Sequence, residues 1–269
     1  MNRIDAMFSA CRKENRRALI MYVCAGDPDL QTTADLIRGI VKAGADLVEV
    51  GVPFSDPMAD GPTIQAASER ALAAGTTLPG ILEMVRELRR EIDTPMVLFS
   101  YYNVLFNYGI EAIAAKAADA GIDGMLIVDV PFEEMDEIRP ALNEHGLHLI
   151  SLVAPTTGPE RARTILADAR GFVYCITVTG VTGARTALPE ELGGQLETVR
   201  KLSPVPVAAG FGISGPEIAR ATAEHADGVV VGSALVNRLA NAETPENGIA
   251  ECTAFVRELA EALKPGEKR

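Results

Sequence analysis

The chain has 269 residues, of which 48% are hydrophobic and 23% charged, the balance of an ordinary globular protein with room for one large domain or two small ones. Its net charge of −12 argues against nucleic acid or an anionic membrane as partner, since both need a basic face. A phosphate ligand held by backbone amides stays possible. No apolar run approaches a membrane span, and the start, Met1-Asn2-Arg3-Ile4-Asp5, lacks the apolar core of a signal peptide. Cys11, Cys24, Cys175 and Cys252 form no CxxC pair and have no His at metal-ligand spacing, so reduced thiols and a cytoplasmic address are expected.

In chain order, a charged amphipathic stretch comes first and reads as an extra N-terminal helix. Eight short apolar runs follow, at 19–24, 47–50, 96–99, 125–128, 149–153, 172–176, 205–208 and 228–231. Each is rich in Val, Ile and Leu and is followed by Gly, Pro, Asp or Asn. Continuous apolar character without alternation is the signature of parallel strands covered on both faces. Between them, 32–43, 79–91, 111–120, 160–169 and 217–224 carry helical periodicity. Ala43-Gly44-Ala45-Asp46, Ala120-Gly121-Ile122-Asp123 and His225-Ala226-Asp227 each join a helix end to the next run, a faint repeat of stacked βα units. Eight such units, with no interdomain linker, predict a single TIM-barrel domain over 1–269, a (β/α)8 fold of the α/β class. A doubly wound open sheet is the runner-up, but Ala25-Gly26-Asp27-Pro28 is no dinucleotide fingerprint.

In a barrel, function sits at the C-terminal ends of the strands. Gly210-Phe211-Gly212-Ile213-Ser214 and Gly232-Ser233-Ala234 follow the last two runs, where barrels commonly hold phosphate on backbone amides and a helix N-terminus. Gly180-Val181-Thr182-Gly183 would close a third side. The six lysines fall in helices or the tail, so none offers a Schiff base at a strand end, and His145, His148 and His225 do not cluster for a metal. Carboxylates remain. Glu49 stands inside an apolar run, a costly place unless it is paired or used, and Asp60 closes the following loop Pro53-Phe54-Ser55-Asp56-Pro57-Met58-Ala59. Two acids in different settings suit acid–base work: Glu49 as a desolvated acid of raised pKa, Asp60 as an ionised carboxylate in a polar loop. Asp27 and Asp129 lie at the mouth as well, and either touch the site or cap turns. Tyr101, Tyr102 and Tyr174 are candidate hydrogen-bond donors.

The run from Glu49-Val50-Gly51-Val52-Pro53-Phe54-Ser55-Asp56 through Pro57-Met58-Ala59-Asp60-Gly61-Pro62 resembles a signature of the tryptophan synthase alpha subunits. Gly26-Asp27-Pro28, Tyr101-Tyr102-Asn103, Asp129-Val130-Pro131 and the three glycine segments above match in order, and the resemblance covers essentially the whole chain. It implies a (β/α)8 barrel and a lyase of tryptophan biosynthesis that cleaves indole-3-glycerol phosphate to indole and glyceraldehyde 3-phosphate by a retro-aldol reaction. Glu49 would be the general acid/base, and Asp60 the acceptor of the indole N–H. Tyr22, Phe99, Leu126, Leu152, Tyr174, Thr182 and Phe211 would line the indole pocket and its lid, with Tyr101 as a further substrate contact. Gly183, Gly212, Gly232 and Ser233 would hold the phosphate. No metal and no cofactor of its own are expected. Pyridoxal phosphate belongs to a partner beta subunit, which takes the indole within an alpha2-beta2 heterotetramer. Tyr22, Cys24 and Thr177 depart from common choices of the family without removing an acid or a phosphate glycine. Loops 53–60 and 179–189 rim one mouth and are expected to order on ligand and partner binding, with Pro53 and Asp56 at the interface. A stand-alone lyase and a silent activator of the beta subunit are the alternatives.

Overall fold

The apolar runs are strands of one parallel sheet. The computed structural model describes residues 1–154, 156–176, 190–210 and 212–265, with only the backbone at 190 and 191. Its strands are β1 (Ala18–Cys24), β2 (Leu47–Gly51), β3 (Met96–Ser100), β4 (Gly124–Ile127), β5 (His148–Leu149), β6 (Ser151–Val153), β7 (Val173–Ile176), β8 (Val207–Gly210) and β9 (Gly228–Val231). Their order is β5-β4-β3-β2-β1-β9-β8-β7-β6. The two ends of that order, β5 and β6, are halves of a single run interrupted at Ile150, so the sheet returns on itself as a (β/α)8 barrel.

The helices are α1 (Arg3–Lys13), α2 (Leu30–Ala43), α3 (Pro62–Ala73), α4 (Leu78–Leu88), α5 (Tyr102–Tyr108), α6 (Ile110–Ala120), α7 (Arg139–Glu144), α8 (Pro159–Leu166), α9 (Glu190–Leu202), α10 (Pro216–Ala223), α11 (Ser233–Asn241) and α12 (Pro245–Ala262). The sequence reading finds α2, α4, α6, α8 and α10 within three residues at each end. It passes over α3, α9 and the closing pair α11 and α12. Its run 205–208 begins two residues early, because Val205 and Pro206 lead into β8 rather than join it.

Alternate strand residues face inward and fill the barrel. Ala18, Ile20, Leu47, Val97, Leu126, Ile150, Phe172, Ala208 and Val230 form one buried cluster. The extra helix α1 plugs its N-terminal end with Ile4, Phe8 and Cys11, and the Phe8 ring lies 5.6 Å from that of Phe172. Inter-strand residues of the other parity pack against α2, α4, α6, α10 and α12 in the larger outer core.

The repeat seen in the sequence has a physical job at that end. Asp46, Asp123 and Asp227 each stand just before a strand. Each amide donates to a carbonyl on the neighbouring strand (Leu19, Met96 and Val207, at 2.8, 2.9 and 2.7 Å), and each carboxylate accepts the amide of that same residue at 2.8, 2.9 and 3.1 Å. An arginine completes every clamp: Arg16 at 2.7 Å, Arg89 at 2.6 Å and Arg200 at 2.8 Å. Gly44 and Gly121 supply the left-handed residue that lets the helix stop and the aspartate turn in, with φ of 117° and 97°.

Asp123 is the most deeply buried of the three, with Arg3, Arg89 and the Met96 amide on its two oxygens. Asp123→Ala strands the Arg89 guanidinium and an amide together. A loss of about 3–5 kcal/mol is expected, read from the urea midpoint, as for other broken buried ion pairs. A loss under about 1 kcal/mol would show the clamps to be ornamental.

Candidate active site

Glu49 sits in the middle of β2, in register with Tyr22 of β1 and Val97 of β3, and points into the barrel. It is 1% exposed, and its Oε1 is buried without a hydrogen-bond partner among the described residues. Burial alone pushes its pKa from 4.5 up to about 8. Ionising it in place therefore costs about 5 kcal/mol more than in water. At neutral pH the group holds its proton, ready to give it away.

Around it are inward residues of the same upper layers. Tyr22 meets Phe99 edge-on with ring centroids 5.2 Å apart. Leu126 is buried, while Phe99, Leu152 and Tyr174 are half-buried. Two glycines make space for the phenols: a Cβ on Gly51 would run into the Tyr22 hydroxyl, and one on Gly210 into that of Tyr174. The geometry repeats, because Tyr22 is level with Glu49 and Tyr174 with Ala208, each glycine lying two residues further up the adjacent strand. Burial holds both phenols well above their usual pKa, with the charges of Glu49 and Asp60 adding to it. They are permanent O–H groups in the chamber of the two acids.

Asp60 closes the loop after β2. Its Oδ2 accepts from the Tyr101 hydroxyl at 2.9 Å, and that hydroxyl in turn accepts from the Ala59 amide at 2.9 Å. The Gln65 side chain donates to the Asp60 carbonyl at 2.9 Å and fixes the loop to the first turns of α3. Burial raises the Asp60 pKa and the Tyr101 hydrogen bond opposes it. The polar-loop expectation is corrected here: Asp60 is half-buried, and Tyr101 rather than bulk water supports its charge.

The other mouth carboxylates are occupied. Asp27 makes a two-pronged ion pair with Arg70 of α3 at 2.7 and 2.8 Å. Asp129 accepts the Tyr102 amide at 2.7 Å, at the start of α5, a partner 27 residues away rather than in its own turn. Of the expected interface residues, Pro53 is buried and Asp56 exposed. Gly212 has a φ of 63°, and Gly232 and Ser233 open α11 at the same end of the barrel. Thr182, Gly183, Phe211 and the loop 179–189 lie outside the described residues. Among the described residues, no three His, Cys, Asp or Glu side chains gather to hold a metal. All four cysteines are free and buried, their thiols pushed up to about 12 mainly by burial. Gln65 and Arg70 are missed by sequence reasoning, since the only signal was a helix after the Gly61-Pro62 start.

A family model described as tryptophan synthase alpha chain matches residues 8–264. The chain belongs to the tryptophan synthase alpha chain family. It is 49% identical over 263 residues to the tryptophan synthase alpha chain of Geobacter sulfurreducens, covering 98% of this chain and 99% of that one. That of a Thermoanaerobacter strain is 44% identical over 263 residues, covering 98% and 100%. Among solved structures, tryptophan synthase subunit alpha from Legionella pneumophila superposes with a TM-score of 0.90 at 38% identity, covering 98% of both chains. A chain of Mycobacterium tuberculosis tryptophan synthase gives 0.90 at 37% identity, covering 98% and 99%. Tryptophan synthase alpha chains serve tryptophan biosynthesis, and their lyase activity cleaves indole-3-glycerol phosphate.

The buried acid has a measurable signature in stability. The unfolded chain ionises Glu49 near pH 4.5 and the folded chain only near 8. The stability carried by the protonated group is complete below 4.5 and drains away as pH rises to about 8. Glu49→Gln removes that drain. Its melting temperature relative to the parent is expected to climb across this window and then level off. A difference independent of pH would mean that Glu49 is ionised in the fold.

Proposed function

We infer that the chain cleaves indole-3-glycerol phosphate to indole and glyceraldehyde 3-phosphate with Glu49 and Asp60 as its two working acids. The observation that carries this is a buried carboxyl, its Oε1 without a partner among the described residues and its pKa raised by burial, in a barrel chamber shared with a second carboxylate that a tyrosine holds in place. Glu49 gives its proton to ring carbon C3. The indole nitrogen becomes cationic, and Asp60 accepts its N–H and stabilises the charge. Glu49, now a carboxylate, takes the proton of the glycerol hydroxyl next to C3. The C3–C bond breaks, its electron pair restores the aromatic ring, and the hydroxyl carbon leaves as the aldehyde. Proton and charge balance, and Glu49 ends as it began.

Tyr22, Phe99, Leu126, Leu152 and Tyr174 hold the ring, joined by Thr182 and Phe211, while Tyr101 keeps Asp60 aimed. The phosphate sits on the amides of Gly183, Gly212, Gly232 and Ser233, where the start of α11 adds its dipole. We propose that the chain works in the cytoplasm without a cofactor of its own, against a beta subunit that carries pyridoxal phosphate in an alpha2-beta2 complex. Met58 and Phe106 support a docking face at this end, because both are large apolar side chains left exposed, 91% and 61%. A chain of rings leads inward from there: Phe106 to Tyr102 at 5.6 Å, and Tyr101, the next residue, to Phe54 at 5.1 Å. Pressure on that face would thus reach the hydroxyl that aims Asp60.

Indole release from indole-3-glycerol phosphate tests the chemistry. Glu49→Gln should lower kcat by about 10²- to 10⁴-fold. Asp60→Asn should lower kcat far more than it raises KM, since its charge is needed as the ring turns cationic. Tyr101→Phe should fall between the parent and Asp60→Asn. Near-normal kcat in Glu49→Gln would remove it as the acid/base.

Titrating a cognate beta subunit tests the coupling. Indole formation should rise to a plateau as the complex forms, and substitution of Asp56 should reduce that rise more than the basal rate. A flat rate with complex formation confirmed would leave a stand-alone lyase.

A further inference from the structure

Between α1, α9 and the starts of β1, β8 and β9 lies a cavity of ≈ 310 Å³, at the opposite end of the barrel from Asp60. Four arginines line it, Arg12, Arg16, Arg17 and Arg200, against the single carboxylate of Asp227. Two of them are engaged. Arg16 holds Glu14 at 2.6 Å and Asp46 at 2.7 Å, and Arg200 holds Asp227 at 2.8 Å. Arg17 donates its Nε to the Ala223 carbonyl at 3.0 Å, which fixes the guanidinium plane; its two Nη groups have no partner among the described residues. Arg12, exposed in the last turn of α1, has no ion-pair partner among the described residues. With all three held carboxylates counted, the rim still carries surplus positive charge on a chain whose net charge is −12.

Helix ends explain part of this. Arg12 and Arg200 lie in the last turns of α1 and α9, and Arg17 meets the last carbonyl of α10. Such compensation needs one cation near each end. It does not require four guanidinium groups around one hollow, where Glu14, Asp46 and Asp227 offset only three of the four charges. The remaining wall is apolar, formed by Phe8, Pro204, Val205 and Pro206. A guanidinium fork matches carboxylate and phosphate oxygens, and the volume falls at the small end of ligand sites.

We propose that this cavity binds a small organic anion, its carboxylate or phosphate held by Arg12 and Arg17 and its apolar body laid on Phe8 and the Pro204–Pro206 segment. The occupant would bridge α1 to the starts of β1 and β8 and so hold the plug in the barrel.

Amide spectra of the full ¹⁵N-labelled chain test this site separately from the catalytic end. Phe8, Cys11 and Val205 report the cavity; Gly232 and Ser233 report the other mouth. The probes are phenyl phosphate, benzoate and inorganic phosphate. At least one organic probe should shift the cavity amides saturably, with a Kd below about 1 mM and about tenfold tighter than inorganic phosphate. Saturation by benzoate alone assigns a carboxylate ligand, and by phenyl phosphate alone a phosphate monoester. Arg12→Ala, a change at an exposed position, should weaken cavity binding about tenfold and leave any response at Ser233 in place. Arg17→Ala should do the same, with its spectrum reporting the fold. Linear shifts with every probe, inorganic phosphate binding as tightly as the organic anions, or an affinity indifferent to both substitutions would overturn the proposal.

Discussion

A carboxyl group without a donor, sealed inside a barrel, is the constraint on which the rest of the site depends. Among the described residues Glu49 Oε1 has no partner, and burial pushes the pKa of the group up to about 8. A lysine or arginine beside it would have produced a permanent carboxylate, useful as a base but unable to protonate a ring carbon. Water reaching it freely would have done much the same. The chamber is therefore closed below by Ile4, Phe8 and Phe172 and walled at its own height by Tyr22, Phe99, Leu126 and Tyr174. The plug helix, which touches neither acid, serves the chemistry by keeping the floor dry.

The two ends of the barrel use carboxylates in opposite ways. At the N-terminal end, Asp46, Asp123 and Asp227 are each satisfied by a strand amide and an arginine. They tie neighbouring strands together where no catalysis is done. At the C-terminal end, Asp27 and Asp129 are likewise consumed, by Arg70 and by the Tyr102 amide. Among the described residues, Glu49 Oε1 has no partner, and Asp60 has a neutral hydroxyl and no cation.

Much of this was legible in the sequence for identifiable reasons. Eight continuous apolar runs announce strands covered on both faces, and period 2 puts Glu49 on the same face as Leu47, which fills the barrel. Glutamate in such a run is conspicuous because nothing in local structure calls for it. The helices with a clear apolar stripe, such as α2 and α4, were legible too. By contrast α3 has a weak stripe, with Gln65 and Arg70 turned toward the loops they hold, so periodicity gave no warning of it. The Asp–Arg clamps were visible only as a repeat of letters. Their arginines lie 27 to 34 residues from the aspartates, a pairing that only the closed barrel creates. The setting of Asp60 was misjudged for a related reason. Pro, Asp and Gly suggested an open polar loop, whereas Tyr101, 41 residues away, lies against that loop and takes it out of water.

That last contact also sets the two acids apart. Both have raised pKa values from the same cause, loss of water. Asp60 has in addition a donor on its Oδ2, which lowers the pKa that burial raises. Tyr101 breaks the symmetry. Its phenol is held above its ordinary pKa by burial and by the Asp60 charge, so it remains a donor and does not compete for the negative charge. Its other contact, the Ala59 amide, donates into the phenol oxygen and orients the O–H toward Asp60. One hydroxyl thus favours the ionised form of Asp60 in a site where every other influence favours the neutral one. Glu49 has no such neighbour. The two carboxyls differ by a single hydrogen bond, which Asp60 accepts from Tyr101 and which has no counterpart on Glu49 Oε1 among the described residues.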